Sequence, residues 1–151
     1  MGVRLTARLT VPIAVAASGT ALTGLVPTAL ANHEMTPPPC SARADACVDL
    51  SEELSWLMEG GRVAYGAVWI SHDAEGYETP PGVFRVTFKN RDHVSSIYGT
   101  PMPYAVFFND GIAFHEGDVN EESGGCIHLE EEDAKTYFDR LQPGDVVEVV
   151  E

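Results

Sequence analysis

The chain has 151 residues, is 44% hydrophobic and carries a formal net charge of −14 at pH 7. Such acidity argues against nucleic acid or an anionic membrane surface as a partner. The length suits one domain that buries its own core, and we expect a monomer that needs no cofactor.

The first 31 residues have the features of a secretory signal peptide. Arg4 and Arg8 precede an uncharged apolar stretch at 11–30, and Ala29-Leu30-Ala31 forms an A-x-A cleavage site. An uncleaved membrane helix is the alternative, although polar and small residues dilute the apolar stretch. We therefore expect an exported protein from which residues 1–31 are removed.

Residues 32–46 contain three consecutive prolines and no apolar periodicity, which is typical of an extended tether. Cys40 and Cys47 enclose six residues and form the natural disulfide pair in an exported protein. This pairing leaves Cys126 as an odd cysteine. Such a residue is a reactive thiol, an intermolecular link or an inert buried side chain, and the glycines beside Cys126 favour the reactive thiol.

From residue 47 to 151 the chain consists of short apolar runs separated by turn signals, which predicts one mainly β domain. Two hairpins are predicted, at Gly60-Gly61 and at Asn109-Asp110-Gly111. Residues 62–70 alternate, and so do residues 82–89. In the first of these strands Val63, Tyr65, Ala67 and Trp69 share one side, and in the second Phe84, Val86 and Phe88 do so.

Only one helix is predicted, over about Glu131–Leu141. Its apolar residues recur at helical spacing, acidic residues precede it, and Pro143-Gly144 ends it: Ala134, Tyr137, Phe138, Leu141. A valine-rich strand follows at 145–150. The pattern of many short strands with one helix is typical of a β-sandwich or a barrel-like domain.

The candidate chemistry lies between the second hairpin and the helix. Cys126 is the candidate nucleophile, and His115, at the end of a strand, is its candidate base. Two strand ends joined by a loop of this length can lie side by side. The backbone amides of Gly125 and Cys126 are candidate oxyanion donors. Ser123 is a candidate for orienting His115 or for positioning substrate, or else it is a turn residue.

These residues also carry a family resemblance that covers roughly residues 47–150. The chain resembles the L,D-transpeptidase catalytic domain of the YkuD type. The matching segments occur in the family's order, at Thr79-Pro80-Pro81-Gly82-Val83-Phe84, Gly111 to Gly117 with His115, Ser123 to Leu129 with Cys126, and Leu141 to Val147. The resemblance implies an L,D-transpeptidase-like β-sandwich.

The resemblance also implies the reaction. Cys126 would attack a peptidoglycan stem peptide between a diamino acid and the following D-alanine and hold the acyl group as a thioester. His115 would accept and donate the proton. D-alanine would leave, and an amine of a second stem would take the acyl group to form a 3-3 cross-link. Carbapenems, which acylate this cysteine in many members, are the expected inhibitors.

One position departs from the family signature, because Gly124 replaces the histidine that normally precedes the Gly-Cys pair. His128 replaces a commoner Arg or Asn and is a candidate for binding a stem carboxylate or for partly replacing that histidine. Gly124 itself lies where substrate is expected.

Three alternatives remain open. The domain binds peptidoglycan without turnover, or it is a hydrolytic carboxypeptidase with water as the acceptor. A third alternative is a zinc site made by His115, Cys126 and His128, although no metal-binding spacing supports it.

Overall fold

The structure, a computed structural model, describes residues 37–151. The predicted signal peptide and the first part of the predicted tether lie outside these residues. Within them the chain forms nine strands and one helix, in this order: β1 Ala46–Asp49, β2 Leu54–Glu59, β3 Arg62–Trp69, β4 Gly82–Arg85, β5 Phe88–Val94, β6 Pro101–Asn109, β7 Ile112–Glu116, β8 Ile127–Leu129, α1 Glu131–Arg140 and β9 Val146–Val150.

The first sheet has five strands in the order β3-β2-β1-β9-β4. Its central strand β1 pairs antiparallel with β2 and parallel with β9, so it joins the two ends of the domain. The predicted hairpin connects β2 to β3. Gly60 and Gly61 form its turn with φ of 56° and 79°, a left-handed conformation that glycine adopts without steric cost.

The second sheet has four strands in the order β5-β6-β7-β8. The predicted second hairpin joins β6 to β7 through Asp110 and Gly111. Strands β7 and β8 are parallel neighbours, and His115 is in register with His128. The loop 117–126 therefore returns the chain to the edge of β7, which places the two candidate motifs side by side.

The predicted single strand over 82–89 is wrong, because the chain changes sheets within it. Strand β4 pairs with β9 in the first sheet, whereas β5 pairs with β6 in the second. The Val86 N–H donates to the carbonyl of Asp145, the residue before β9 of the first sheet. The next N–H, of Thr87, donates to the carbonyl of Phe107 in β6 of the second sheet. Val86 is buried, but Phe88 is 47% exposed and stacks on Phe107, so the alternation does not continue across the junction.

Both sheets and the helix share one core. Phe114 of β7 and Tyr137 of α1 are both fully buried and their rings lie 5.1 Å apart. The Tyr137 hydroxyl donates to Ser55 Oγ at 2.9 Å, and Ser55 in turn donates to the Cys47 carbonyl at 2.7 Å. A chain of satisfied polar groups thus connects the helix to the first sheet. The predicted class, a mainly β sandwich with one principal helix, is confirmed.

The predicted disulfide between Cys40 and Cys47 is present. Cys47 lies in β1 and packs with Trp56 and Met58 in a small second cluster, where Cys40 covers it from outside. Ala44 and Ala46, the last residues of the predicted tether, are buried against the domain. The disulfide therefore fastens the start of the described chain to a central strand.

Candidate active site

A cavity of about 320 Å³ opens between the β5–β6 loop and the adjoining ends of β7 and β8. His115, Cys126, His128 and Gly124 all line it, together with Tyr77 and Tyr98. The structure therefore brings the predicted nucleophile, the predicted base and both candidate substrate-binding residues to one opening.

The parallel pairing of β7 and β8 explains why these side chains converge. Side chains alternate along a strand, and His115 is in register with His128. Phe114, Ile127 and Leu129 point into the shared core. His115 and His128 consequently project from the other face, which is the cavity side.

Cys126 is a free cysteine directly before β8. Its Sγ lies 3.7 Å from the Gly111 carbonyl oxygen, and its side chain packs against the apolar cluster of Met102, Ala105, Phe107 and Ala113. Burial in these surroundings raises the pKa of the thiol above its ordinary value. At neutral pH the nucleophile is thus a thiol that requires a base.

His115 is suited to be that base. Its side chain is 6% exposed, and Nδ1 lies 2.7 Å from the Glu116 carbonyl oxygen. A carbonyl only accepts, so Nδ1 carries the proton and Nε2 is left as the acceptor. Burial lowers the pKa of His115 to about 4, and the nearby His128 adds to this shift. The imidazole is therefore neutral at physiological pH.

His128 is held against His115 by three contacts. The two rings meet edge to face with centroids 4.9 Å apart, and Nδ1 of His128 donates to the Asp118 carbonyl at 3.1 Å. The third contact is with Gly117. A Cβ at Gly117 would lie 2.6 Å from His128 Cγ, closer than real Cβ atoms approach, so this position has to be glycine for the ring to sit there. No local sequence signal indicates this role of Gly117 or that of Asp118.

Ser123 does not orient His115; of the roles that the sequence leaves open, it has that of a turn residue. It is 3% exposed, its hydroxyl donates to the Cys126 carbonyl, and the same oxygen accepts the Gly125 N–H at 3.1 Å. Serine hydroxyls commonly close turns in this way. Ser123 is thus the turn residue that shapes the loop before the nucleophile, and the Glu116 carbonyl orients His115.

The same contacts correct the oxyanion prediction. The Gly125 amide is used within the loop by Ser123, so it is not a free donor to the cavity. Gly125 has φ of +93° and its carbonyl accepts from Thr79 Oγ1 at 2.9 Å. Gly125 therefore holds the loop in shape, and the Cys126 amide is the remaining candidate donor of the predicted pair.

We expect the alkylation rate of Cys126 by iodoacetamide to rise with pH and to reach no plateau by about pH 9. The thiolate is the attacking form, and burial raises the pKa of this thiol. Because the pKa of His115 is lowered to about 4, the profile has no inflection near the ordinary histidine value. Rates measured from about pH 5 to 10 on the non-reduced protein, with glutathione as the reference thiol, check this. A plateau already at about pH 6 would instead indicate a thiolate–imidazolium pair.

Within residues 37–151, no group of three histidine, cysteine or acidic side chains is arranged to hold a metal ion. In that same range no helix combines the length and apolar character needed to cross a membrane.

The chain matches the family model of the L,D-transpeptidase catalytic domain, YkuD, over residues 43–149. Among solved structures it is similar to an L,D-transpeptidase from Stackebrandtia nassauensis, with 30% identity and a TM-score of 0.67 over 70% of this chain and 54% of that one. It is similar to an L,D-transpeptidase from Mycobacterium tuberculosis H37Rv, with 26% identity and a TM-score of 0.63 over 69% and 56%.

A third similar structure is the LD transpeptidase LdtMt1 in complex with imipenem, with 27% identity and a TM-score of 0.60 over 68% of this chain and 56% of that one. The chain thus spans little more than half the length of each of these three proteins. Comparison with curated protein sequences gives no match.

Proposed function

Because the chain belongs to the YkuD family of L,D-transpeptidase catalytic domains, we propose that it is a cysteine L,D-transpeptidase acting on peptidoglycan stem peptides. The observation that carries the proposal is the cavity in which a free thiol, Cys126, and a neutral imidazole, His115, both face the same space. That pair is what acyl transfer through a thioester requires.

In the first half-reaction, the Cys126 sulfur attacks the carbonyl carbon of the diamino acid while His115 Nε2 takes the thiol proton. The resulting oxyanion is stabilised by the Cys126 amide. The C–N bond then breaks, His115 gives the proton to the departing D-alanine amine, and a thioester remains.

In the second half-reaction, the side-chain amine of another stem attacks the thioester. His115 takes a proton from this amine and returns it to the sulfur as the C–S bond breaks. A 3-3 cross-link results, and the free thiol is restored. His128, beside His115 in the same cavity, is our candidate for contacting the bound stem peptide. Its Nδ1 donates to the Asp118 carbonyl, so Nε2 of the neutral ring would accept a hydrogen bond from a stem amide rather than donate one to a carboxylate.

The signal-like residues 1–31 support export, so we place the reaction at the cell wall of a bacterium, in a secreted monomer that needs no cofactor. The acidic net charge of −14 is consistent with a partner other than nucleic acid. Carbapenems are the expected inhibitors, and a similar L,D-transpeptidase has been solved in complex with imipenem.

A second candidate, a domain that binds peptidoglycan with impaired turnover, is favoured by one observation. Gly124 stands where the family signature has a histidine, so one imidazole of the usual site is missing. A hydrolytic carboxypeptidase is the remaining variant, in which water replaces the acceptor amine.

The test is to incubate the mature, non-reduced protein with a stem tetrapeptide and, separately, with imipenem, and to follow intact mass. A transpeptidase gives an adduct on Cys126 and a cross-linked dimer of stems. A carboxypeptidase gives the adduct, D-alanine and tripeptide but no dimer. A protein that binds the stem and is alkylated at Cys126 by iodoacetamide, yet forms no adduct with either compound, would contradict catalysis. Cys126→Ala is the matched control for the site of labelling.

A further inference from the structure

The space beside Gly124 is occupied by a side chain from a distant loop. A Cβ built on Gly124 would lie 3.5 Å from both Cε2 and the hydroxyl oxygen of Tyr98. This is ordinary van der Waals distance, so a methyl group fits there and a larger side chain does not without moving the phenol. The backbone of Gly124 is outside the positive-φ region, so its conformation does not require glycine. The contact with Tyr98 limits the size of this residue instead.

Tyr98 is held in position by the loop that joins β5 to β6. Ser95 Oγ accepts the Tyr98 N–H at 3.1 Å, the Ser95 carbonyl accepts the Gly99 N–H at 2.8 Å, and the Ser95 N–H donates to the Thr100 carbonyl at 2.9 Å. These bonds close a compact turn between two paired strands. The ring is thus presented over the cavity from a fixed backbone, although the side chain remains 56% exposed.

Tyr77 also contacts the loop before Cys126. A Cβ at Gly125 would lie 3.2 Å from the Tyr77 carbonyl oxygen, and both tyrosine side chains line the cavity. Partial desolvation and the neighbouring Tyr77 phenol raise the pKa of Tyr98, so its hydroxyl is protonated at neutral pH. The Tyr98 ring thus limits the space at Gly124, and the Tyr77 backbone limits the space at Gly125.

We propose that Tyr98 is a specificity-determining residue whose phenol fills the space left by Gly124 and forms the outer wall of the cavity over Cys126. The wall limits the width of the group that reaches the thiol. It admits a slender, extended acyl donor such as a peptide backbone and excludes donors that are bulky next to the reacting carbonyl. The statement about acyl donors rests on the proposed transpeptidase function, whereas the wall itself does not.

The test compares two thiol reagents of different width on Cys126 of the intact, non-reduced protein. Iodoacetamide is narrow and fluorescein maleimide is wide. The ratio of their rates is the readout, because a change in the pKa of the thiol alters both rates together. In Tyr98→Ala we expect this maleimide-to-iodoacetamide ratio to rise at least about 10-fold, since the wall is gone. Tyr98→Phe keeps the ring and should leave the ratio at the wild-type value.

One further variant tests the contact with Gly124, and another serves as a control. In Tyr98→Ala combined with Gly124→His, the imidazole occupies the vacated space, and the ratio should return towards the wild-type value. Val94→Ala, an exposed substitution at the end of β5 outside the cavity, is the matched control and should change nothing. Should Tyr98→Ala fold poorly by circular dichroism, Tyr98→Leu removes the same ring and keeps an apolar side chain on the loop.

An unchanged ratio in a folded variant without the ring would overturn the proposal. Failure of the proposed function would give a different result. The wild-type protein would then form no adduct with the stem peptide or with imipenem, and this result does not depend on the ratio of the maleimide and iodoacetamide rates. With turnover present, Tyr98→Ala should also accept stem peptides carrying a bulky group beside the reacting carbonyl, which the wild type rejects.

Discussion

Replacing His115 by asparagine is expected to slow acylation of Cys126 by about 100- to 10,000-fold, which is the usual contribution of a general base. The asparagine amide retains a donor for the Glu116 carbonyl, which Nδ1 of His115 contacts at 2.7 Å. It offers no acceptor with the basicity of Nε2, so the buried thiol keeps its proton. The measurement is the rate of imipenem adduct formation by intact mass at neutral pH.

Two controls accompany this variant. His128→Asn preserves a donor for the Asp118 carbonyl but removes the ring that meets His115, and a substrate-binding role predicts a change in KM with a smaller change in kcat. Iodoacetamide alkylation well above the pKa of the thiol requires no base, so it should be equal in His115→Asn and in the wild type. Wild-type acylation by His115→Asn would contradict the assignment of the base.

Replacing Phe114 by alanine is expected to lower the free energy of unfolding by about 3–5 kcal/mol. Phe114 has no exposed surface, and its ring lies 4.9 Å from that of Phe108 and 5.1 Å from that of Tyr137. The substitution leaves a cavity where β7 meets the helix, and the rigid surroundings cannot close around it. Urea denaturation without reductant, followed by circular dichroism, measures the loss.

Phe88 provides the matched control, since it is also a strand phenylalanine that packs against another aromatic ring. Its side chain is 47% exposed and its ring lies 4.4 Å from that of Phe107 on the outer face of the second sheet. We expect Phe88→Ala to cost only about 1 kcal/mol, the range of an aromatic pair with partial burial. An equal decrease in the free energy of unfolding for the two variants would contradict the conclusion that the shared core contributes more to stability than the outer face of the second sheet.

Several parts of the fold are predictable because they depend on local chemistry. Paired glycines and the Asn-Asp-Gly turn set the two hairpins, and the helical spacing of Ala134 and Tyr137 sets the face that α1 buries. The ordered motifs were enough to identify the family, which the match over residues 43–149 confirms. Each of these signals lies within a few consecutive residues.

Other parts depend on contacts between distant residues. An irregularity in the pairing of β2 with β3 reverses which residues face the core at the end of β3. Val68 and Ile70 are buried there and Trp69 is 65% exposed, whereas an unbroken alternation would put Trp69 on the same side as Tyr65. The change of sheet at Val86 is likewise not indicated by the alternation of apolar and polar residues, since strands of both sheets have that alternation. Register and sheet membership depend on which neighbouring strand pairs with the segment, and that strand is distant in the sequence.

The candidate site also has parts that the sequence predicts and parts that depend on distant contacts. The strand ends that carry His115 and Cys126 follow from the hairpin and the loop, and they do meet at one cavity. The sequence leaves open whether Ser123 orients His115 or is a turn residue, and the hydrogen bond of its hydroxyl within its own loop decides for the turn residue. Tyr98 has its contact with Gly124 only through the three-dimensional path of the β5–β6 loop, so no local sequence signal indicates it.

The register between β7 and β8 also constrains how this protein can vary. A slip of one residue would turn Ile127 out of the core and bring His128 into it, because successive side chains point to opposite faces. A change of loop length must therefore be absorbed before Ser123, where Asn120, Glu121 and Glu122 are exposed. Natural variants and engineered libraries should tolerate insertions there and reject them between Ser123 and His128. The apolar packing of the interior, as much as the chemistry, thus keeps the spacing of the reactive residues constant.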